Sequence, residues 1–338
     1  MVDVEMPALI GTDPLGFLAA LGVLRLTTVE LGWASTLGWP AGPRNAAVLG
    51  GCPDDSTVET LAAGLYGIVE HARATGQLIP GVDGFPPPKQ SSKGSDPVKE
   101  LSFADRNGLA TTGRTRDRRF GDWLVATLAL AARDTDDSRD RLSAAFVRPT
   151  GQVSFDRSLK SGRDDIDAAD LHAALVEWAR VAGVTGNYFD QRAIRDEYVG
   201  THNTGQMKNA GVPGAAWLAL MALPQLPVRT TLAGRATTTA FQRRPGRPTR
   251  MVWPVWTPSM SLTTASALLD HPALTRVDGP LREGEKPWHA DRRIAQSLRA
   301  LGVTGVFAAE RRPGPQGGDG ALGPGVAIAS AKPTGRRA

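Results

Sequence analysis

What this 338-residue sequence lacks narrows it before what it contains. It has one cysteine, Cys52, so no internal disulfide can form, and its N-terminal segment carries Asp3 and Glu5 where a secretory signal carries Lys or Arg. A reducing cytoplasm is the expected compartment. The most apolar run, Leu15 to Leu24, ends at Arg25 and falls short of the ~20 residues that cross a bilayer, so no membrane association is expected. Catalytic signatures are missing too. His71, His172, His202, His271 and His289 are dispersed, a single cysteine cannot supply a zinc knuckle, and neither a Gly-x-x-x-x-Gly-Lys-Ser/Thr loop nor a Gly-x-Ser-x-Gly elbow occurs. These absences point to a protein that is not an enzyme and needs no cofactor.

The most informative absence is of negative charge. Between Glu197 and Asp270 there is no Asp or Glu, while Lys208, Arg229, Arg235, Arg243, Arg244, Arg247 and Arg250 all fall there. A net charge of +5 over the whole chain says little by itself; its distribution says more. With no acid nearby in sequence to cancel their field, these cations would gather phosphates and make binding steeply salt-dependent. The bland alternative is a solvated face paired with acids from elsewhere in the fold.

A hydrophobic fraction of 41% and a charged fraction of 22% are those of a folded globular chain, and the length allows one large domain or two ordinary ones. Val2 to Ile10 alternates loosely as a strand does, and Asp13 followed by Pro14 reads as an N-cap with proline at N1, opening a helix to about Glu30. That helix is apolar on nearly every side and belongs in a core. Trp33 to Trp39 and Asn45 to Leu49 are short strand candidates, and Asp54-Asp55-Ser56 is expected to cap a helix through about His71. Residues 1–80 thus form an α+β layer resembling a ferredoxin-like half.

Residues 81–113, with Pro86-Pro87-Pro88 and Gln90-Ser91-Ser92-Lys93-Gly94-Ser95, show no hydrophobic period and read as a flexible insertion. Residues 114–311 read as a helix-rich lobe. Its helices are expected around Phe120 to Leu130, from Asp167 to about Val181 with Leu171, Leu175 and Trp178 inward, from Pro213 to Leu223, from Leu262 to Leu269 and from His289 to Leu301. Val228 to Leu232, Val303 to Glu310 and Val326 to Ser330 are strand candidates, the last two pairing around a Gly/Pro-rich loop. Residues 312–338 hold that loop and a frayed tail. The fold class is therefore α+β: an N-terminal ferredoxin-like layer, then a helix-rich lobe with a β-hairpin.

That hairpin is the strongest binding candidate. Thr237 to Gln242 and Arg250 to Trp256 are β-prone runs flanking Arg243-Arg244-Pro245-Gly246-Arg247-Pro248, whose proline and glycine make a turn. Arg243, Arg244, Arg247 and Arg250 are the candidates for holding phosphates or parting strands. In the loop His202 to Gly211, Gln206, Lys208 and Asn209 carry groups that can reach base edges, though a polar surface loop would look the same. Arg114, Arg116, Arg118 and Arg119 are diluted by Asp117 and Asp122, so Arg118 and Arg119 could touch nucleic acid or make ion pairs at a helix start. Trp253 and Trp256 could stack on bases but suit sheet packing better. Asp164, Asp165, Asp167 and Asp170 could be drawn as magnesium ligands for a nuclease, but acids so spaced more often cap a helix.

Gly11-Thr12-Asp13-Pro14-Leu15-Gly16-Phe17-Leu18-Ala19-Ala20-Leu21-Gly22-Val23-Leu24-Arg25 resembles the opening helix of subtype I-G (formerly I-U) CRISPR-associated proteins of the large-subunit-like or related accessory kind. Pro213 to Leu223 followed by Met251-Val252-Trp253-Pro254-Val255-Trp256 is similar to a second block in the same order, with Phe120-Gly121-Asp122-Trp123-Leu124 as a weaker one between them. These blocks span under a quarter of the chain and are mostly apolar, so they bear on architecture more than chemistry. The resemblance implies a subunit or accessory of a crRNA-guided, DNA-targeting complex, whose partners are crRNA or target DNA and the other CRISPR effector subunits. An accessory that docks on protein without touching nucleic acid is the alternative.

Overall fold

The computed structural model describes residues 1–42, 45–85, 103–130, 155–184, 186–190, 209–230, 236–244, 247–275, 292–313 and 319–330. The chain opens as strand β1 (Val2–Ile10), helix α1 (Pro14–Val29), strands β2 (Thr36–Gly38) and β3 (Ala46–Cys52), and helix α2 (Val58–Ala74). β1 and β2 each pair antiparallel with β3 between them, so they run parallel to one another, the split βαβ arrangement of a ferredoxin-like half. Asp13 caps α1 as its sequence predicts: Oδ1 accepts from the amides of Leu15 at 3.1 Å and Gly16 at 3.2 Å. α2 is capped one residue later than expected. Thr57, not the Asp54–Ser56 cluster, exchanges hydrogen bonds with Thr60 in a reciprocal capping box, because the hydroxyl at that position reaches the N3 amide.

Helices α3 (Phe103–Arg116), α4 (Arg118–Thr127), α5 (Phe155–Asp164) and α6 (Ala168–Val176) follow, then strands β4 (Val181–Ala182) and β5 (Ala210–Gly211) and helix α7 (Pro213–Met221). Two expectations change here. Residues 103–113 of the supposed insertion are helical, and Phe85 is buried against Phe120, Trp123 and Phe155; residues 86–102 lie outside the described part. α3 escapes a search for hydrophobic period because it meets α4 through small residues, Gly113 against Gly121 and Leu124. α6 stops at Val176 rather than Val181. The amides of Glu177 and Trp178 both return to the Ala173 carbonyl, and Trp178 adopts a left-handed φ of 60° that turns the chain away.

The remainder is mainly sheet: β6 (Val228–Thr230), β7 (Ala236–Thr238), β8 (Phe241–Arg244), β9 (Arg247–Trp256) and β10 (Met260–Ser261); helices α8 (Leu262–Leu269), α9 (Pro272–Thr275) and α10 (Arg292–Ala300); then β11 (Val303–Pro313), β12 (Asp319–Leu322) and β13 (Val326–Ser330). β9 and β11 form the centre of a five-stranded antiparallel sheet, with β8 outside β9 and both β12 and β13 along the other edge of β11. β13 does pair with β11, as expected. β10 adds a fourth strand to the N-terminal sheet beside β2, so residues 260–261 complete a layer begun at residue 2.

Two contacts join these layers. Every residue of α7 is buried, and the helix packs on α1 at a distance so short that a Cβ on Gly22 would overlap the Leu218 carbonyl. At the other end Phe17, Trp39, Trp253 and Trp256 form an aromatic junction, with Phe17 stacked on Trp39 at 5.2 Å and Trp39 edge-on to Trp256 at 4.7 Å. The indole N–H of Trp253 donates to Gly11 O (2.9 Å) and that of Trp256 to Leu37 O (2.8 Å), so both tryptophans pack the core. Among the described residues, no helix is long and apolar enough to cross a membrane.

Candidate nucleic-acid interface

The basic hairpin forms where the sequence predicts it, but its two ends differ. β8 pairs with β9 in the register Phe241↔Met251, Gln242↔Arg250 and Arg244↔Arg247. At the root, Arg250 is fully buried, flanked in register by Gln242 on β8 and Glu310 on β11. Its Nε and Nη2 donate to Gln242 Oε1 at 2.9 and 2.6 Å, and Gln242 Nε2 donates to the Leu274 carbonyl at 2.8 Å. Arg250 is therefore a brace, not a side chain presented to a phosphate. The acid-free sequence concealed this because the neutral Gln242 is what receives the guanidinium.

At the tip, the backbone sets Arg244 directly opposite Arg247 with Arg243 beside them; residues 245–246 lie outside the described part. Like charges across a ladder destabilise a strand pair unless solvent or an anion screens them. Of the other cations in the acid-free stretch, Arg229 pairs with Asp270, the first acid beyond it.

The second basic cluster divides in the same way. Arg119 Nη1 meets Glu30 Oε2 at 3.1 Å and its Nη2 donates to the Val29 carbonyl at 3.1 Å, which caps the C-terminus of α1. Gly81, at φ 67°, passes so close over this pair that a Cβ there would push the Arg119 and Glu30 side chains aside. Arg118 is 93% exposed, 4.0 Å from Asp122 in an i,i+4 pair, and Arg114 and Arg116 are also exposed. α4 packs on β6, β6 pairs with β7 and β7 touches β8, so the two basic segments sit on a contiguous run of elements. Gln206 and Lys208 lie outside the described residues. Asn209 is half-buried just before β5, and its carbonyl accepts from the Gly183 amide at 2.5 Å.

The aspartate cluster acts as helix ends do. Asp167 caps α6 in a box with Asp170, Asp165 accepts from the Ser161 hydroxyl at 2.6 Å, and Asp164 accepts from Arg163 Nε at 2.7 Å. The Arg163 hydrogen bond holds the Asp164 carboxyl below its ordinary range, while burial pushes Asp170 up. Arg73 spans the Arg163, Asp164 and Ile166 carbonyls. Among the described residues, no group of three or more His, Cys, Asp or Glu is placed to hold a metal ion.

One polar cluster has no precedent in the expectations from sequence. Arg25, the lone charge inside α1, is 3% exposed, and its guanidinium carbon lies 5.4 Å from the Trp123 ring centroid. Burial lowers its pKa to about 10, with Glu30 and Asp122 pulling it back up. Burial likewise raises the Glu30 and Asp122 carboxyls, against the pull of Arg119 and Arg118 respectively. The available signal was the charge itself, since an arginine amid Leu15 to Leu26 must be met by a ring or an acid. Comparison with models of known protein families and with curated proteins finds no match.

Proposed function

We propose that this chain is a non-catalytic nucleic-acid-binding subunit or accessory of a type I-G CRISPR interference complex, contacting crRNA or target DNA through the tip of the β8–β9 hairpin. The observation that carries the reading is the register Arg244↔Arg247, beside Arg243, in a segment with no acid of its own. A phosphate backbone would screen two arginines set opposite each other in register, and the buried Arg250–Gln242–Leu274 chain holds the hairpin root steady beneath them. Exposed Arg114, Arg116 and Arg118, on elements that continue from the hairpin through β7 and β6, extend the same potential. In a guided complex base pairing reads sequence, so the protein needs backbone contacts rather than chemistry. On this reading the chain works in the cytoplasm beside other effector subunits.

The test is a mobility-shift series with single-stranded RNA, single-stranded DNA and duplex DNA across salt concentration. Affinity is expected to fall linearly in a log–log plot. In Arg243→Ala/Arg247→Ala the slope for duplex DNA should shrink by about 2, near one counterion per lost phosphate contact. Unchanged affinity and slope in the double variant would sink the hairpin assignment. A partner protein retained after complete nuclease treatment, with no binding of any nucleic acid, would establish protein docking instead.

A further inference from the structure

Single-stranded nucleic acid is held largely by rings on which its bases stack, and the basic surface of this chain commits its rings to the core. From Val228 to Arg250 the sequence has one aromatic residue, Phe241, which is 6% exposed and has the Arg311 guanidinium carbon over it, 5.7 Å from the ring centroid. Trp253 and Trp256, farther along β9, are buried with their indole N–H groups bound to the Gly11 and Leu37 carbonyls, so neither is free to turn outward. On the second basic segment Phe120 and Trp123 of α4 are buried as well, with the Arg116 guanidinium carbon 5.9 Å from the Phe120 centroid.

What the two segments do offer is cations on fixed backbone. The β8–β9 ladder slips by one residue between Gln242↔Arg250 and Arg244↔Arg247, so Pro248 and Thr249 stand against Arg243 alone. A bulge of this kind bends and twists the ribbon beyond it. Below the bulge the root is tied through Gln242 to Arg250 and to the Leu274 carbonyl, and β9 continues as a central strand of its sheet. The α3–α4 corner is the second platform. Arg114, Arg116 and Arg118 are exposed there, and the intervening Asp117 accepts from the Arg119 amide as the cap of α4. Arg118 has Asp122 at 4.0 Å, whereas Arg114 and Arg116 make no ion pair among the described residues.

Resting on the nucleic-acid reading above, we infer that the ligand of this surface is a double helix, gripped by its phosphate backbones without regard to base sequence and preferred over single strands. A duplex keeps its bases stacked on one another and needs no ring from the protein. It also carries one charge per about 1.7 Å of axis, twice the linear density of a single strand. Arginines on braced backbone gain most from a ligand whose phosphates are already in place, because neither partner has to be ordered on contact. Two basic segments on one contiguous run of elements suit the two backbones that border a groove. A single strand would have to be ordered along the same surface with no ring to stack on.

The experiment titrates the full chain with a mixed-sequence duplex DNA, with each of its separated strands, and with a duplex of shuffled sequence, across salt concentration. The duplex is expected to bind at least about tenfold more tightly than either strand, and the shuffled duplex to match it within about twofold. Arg114→Ala, a change at an exposed position, should lower the duplex salt slope by about 1 with an unaltered melting temperature. Strands bound as tightly as the duplex, or a marked preference between the two duplex sequences, would overturn the inference while leaving the hairpin reading intact. An unchanged slope in Arg114→Ala would overturn the grip by two segments. No binding of any of these probes would overturn the hairpin reading and the duplex assignment with it.

Discussion

The root and the tip of one hairpin carry arginines three residues apart, and the root arginine is absorbed into the fold. Arg250 is buried between β8 and β11 and donates to Gln242; Arg247 stands opposite Arg244 in register at the end of the ladder, in a stretch of sequence with no acid. Arg25 and Arg119 belong with the root: one lies over Trp123, the other caps α1 through Glu30 and Val29. The difference teaches that local charge density overstates a binding surface, because a buried sheet or helix can absorb a cation into its own framework. Interior charges should answer to packing and pH; charges at the tip should answer to salt.

The first way to break this comparison is at the junction beneath the root. Trp256→Ala removes a fully buried ring together with its hydrogen bond to Leu37, and should cost about 3–5 kcal/mol, read as a lower denaturant midpoint at constant slope. Arg250→Met keeps a long apolar stem but strands the Gln242 oxygen. The expected loss is about 1.5–3 kcal/mol, with weaker DNA binding but an unaltered salt slope; a slope smaller by about 1 would make Arg250 a phosphate contact after all.

The pH arm follows from Glu30. Burial raises its carboxyl in the folded state, so its contribution to stability is fully present below the usual carboxylate range and is lost as pH rises through its folded pKa. Glu30→Gln should therefore gain stability relative to the wild type between acid and neutral pH, measured by parallel denaturation curves; a constant difference would refute the sign. The smallest effect belongs to the tip. Arg243→Ala/Arg247→Ala should leave stability within about 0.5 kcal/mol, and a larger loss would move those residues into the same class as Arg250.

What the sequence discloses follows how local the cause is. Asp13 and Pro14 act on their own first turn, and β8 and β9 pair from Arg244 and Arg247, only three positions apart in sequence, so both features were readable in advance. The pairing of β9 with β11, and of β2 with β10, depends on which apolar strands meet after collapse, and no residue in either partner announces the other. The same limit hid the fate of Arg119, whose partner Glu30 lies on a distant segment. The kink at Trp178 was unreadable for another reason: glycine would have signalled it, whereas tryptophan at an apolar helical spacing pointed inward and onward. Gln206 and Lys208 lie outside the described residues.

The close seat of α1 against α7 sets the order of events during synthesis. A helix with fourteen consecutive buried residues leaves the ribosome long before its cover: Gly22 awaits Leu218, the Leu21 carbonyl awaits the Gln225 side chain 204 residues later, and Gly11 awaits Trp253. So large a sequence separation makes closure slow and leaves the apolar helix exposed on the nascent chain. The N-terminal sheet cannot be completed earlier either, since its fourth strand begins at Met260. A fragment ending before α7 should therefore be aggregation-prone, and dividing this chain for expression is best avoided anywhere between α1 and β10.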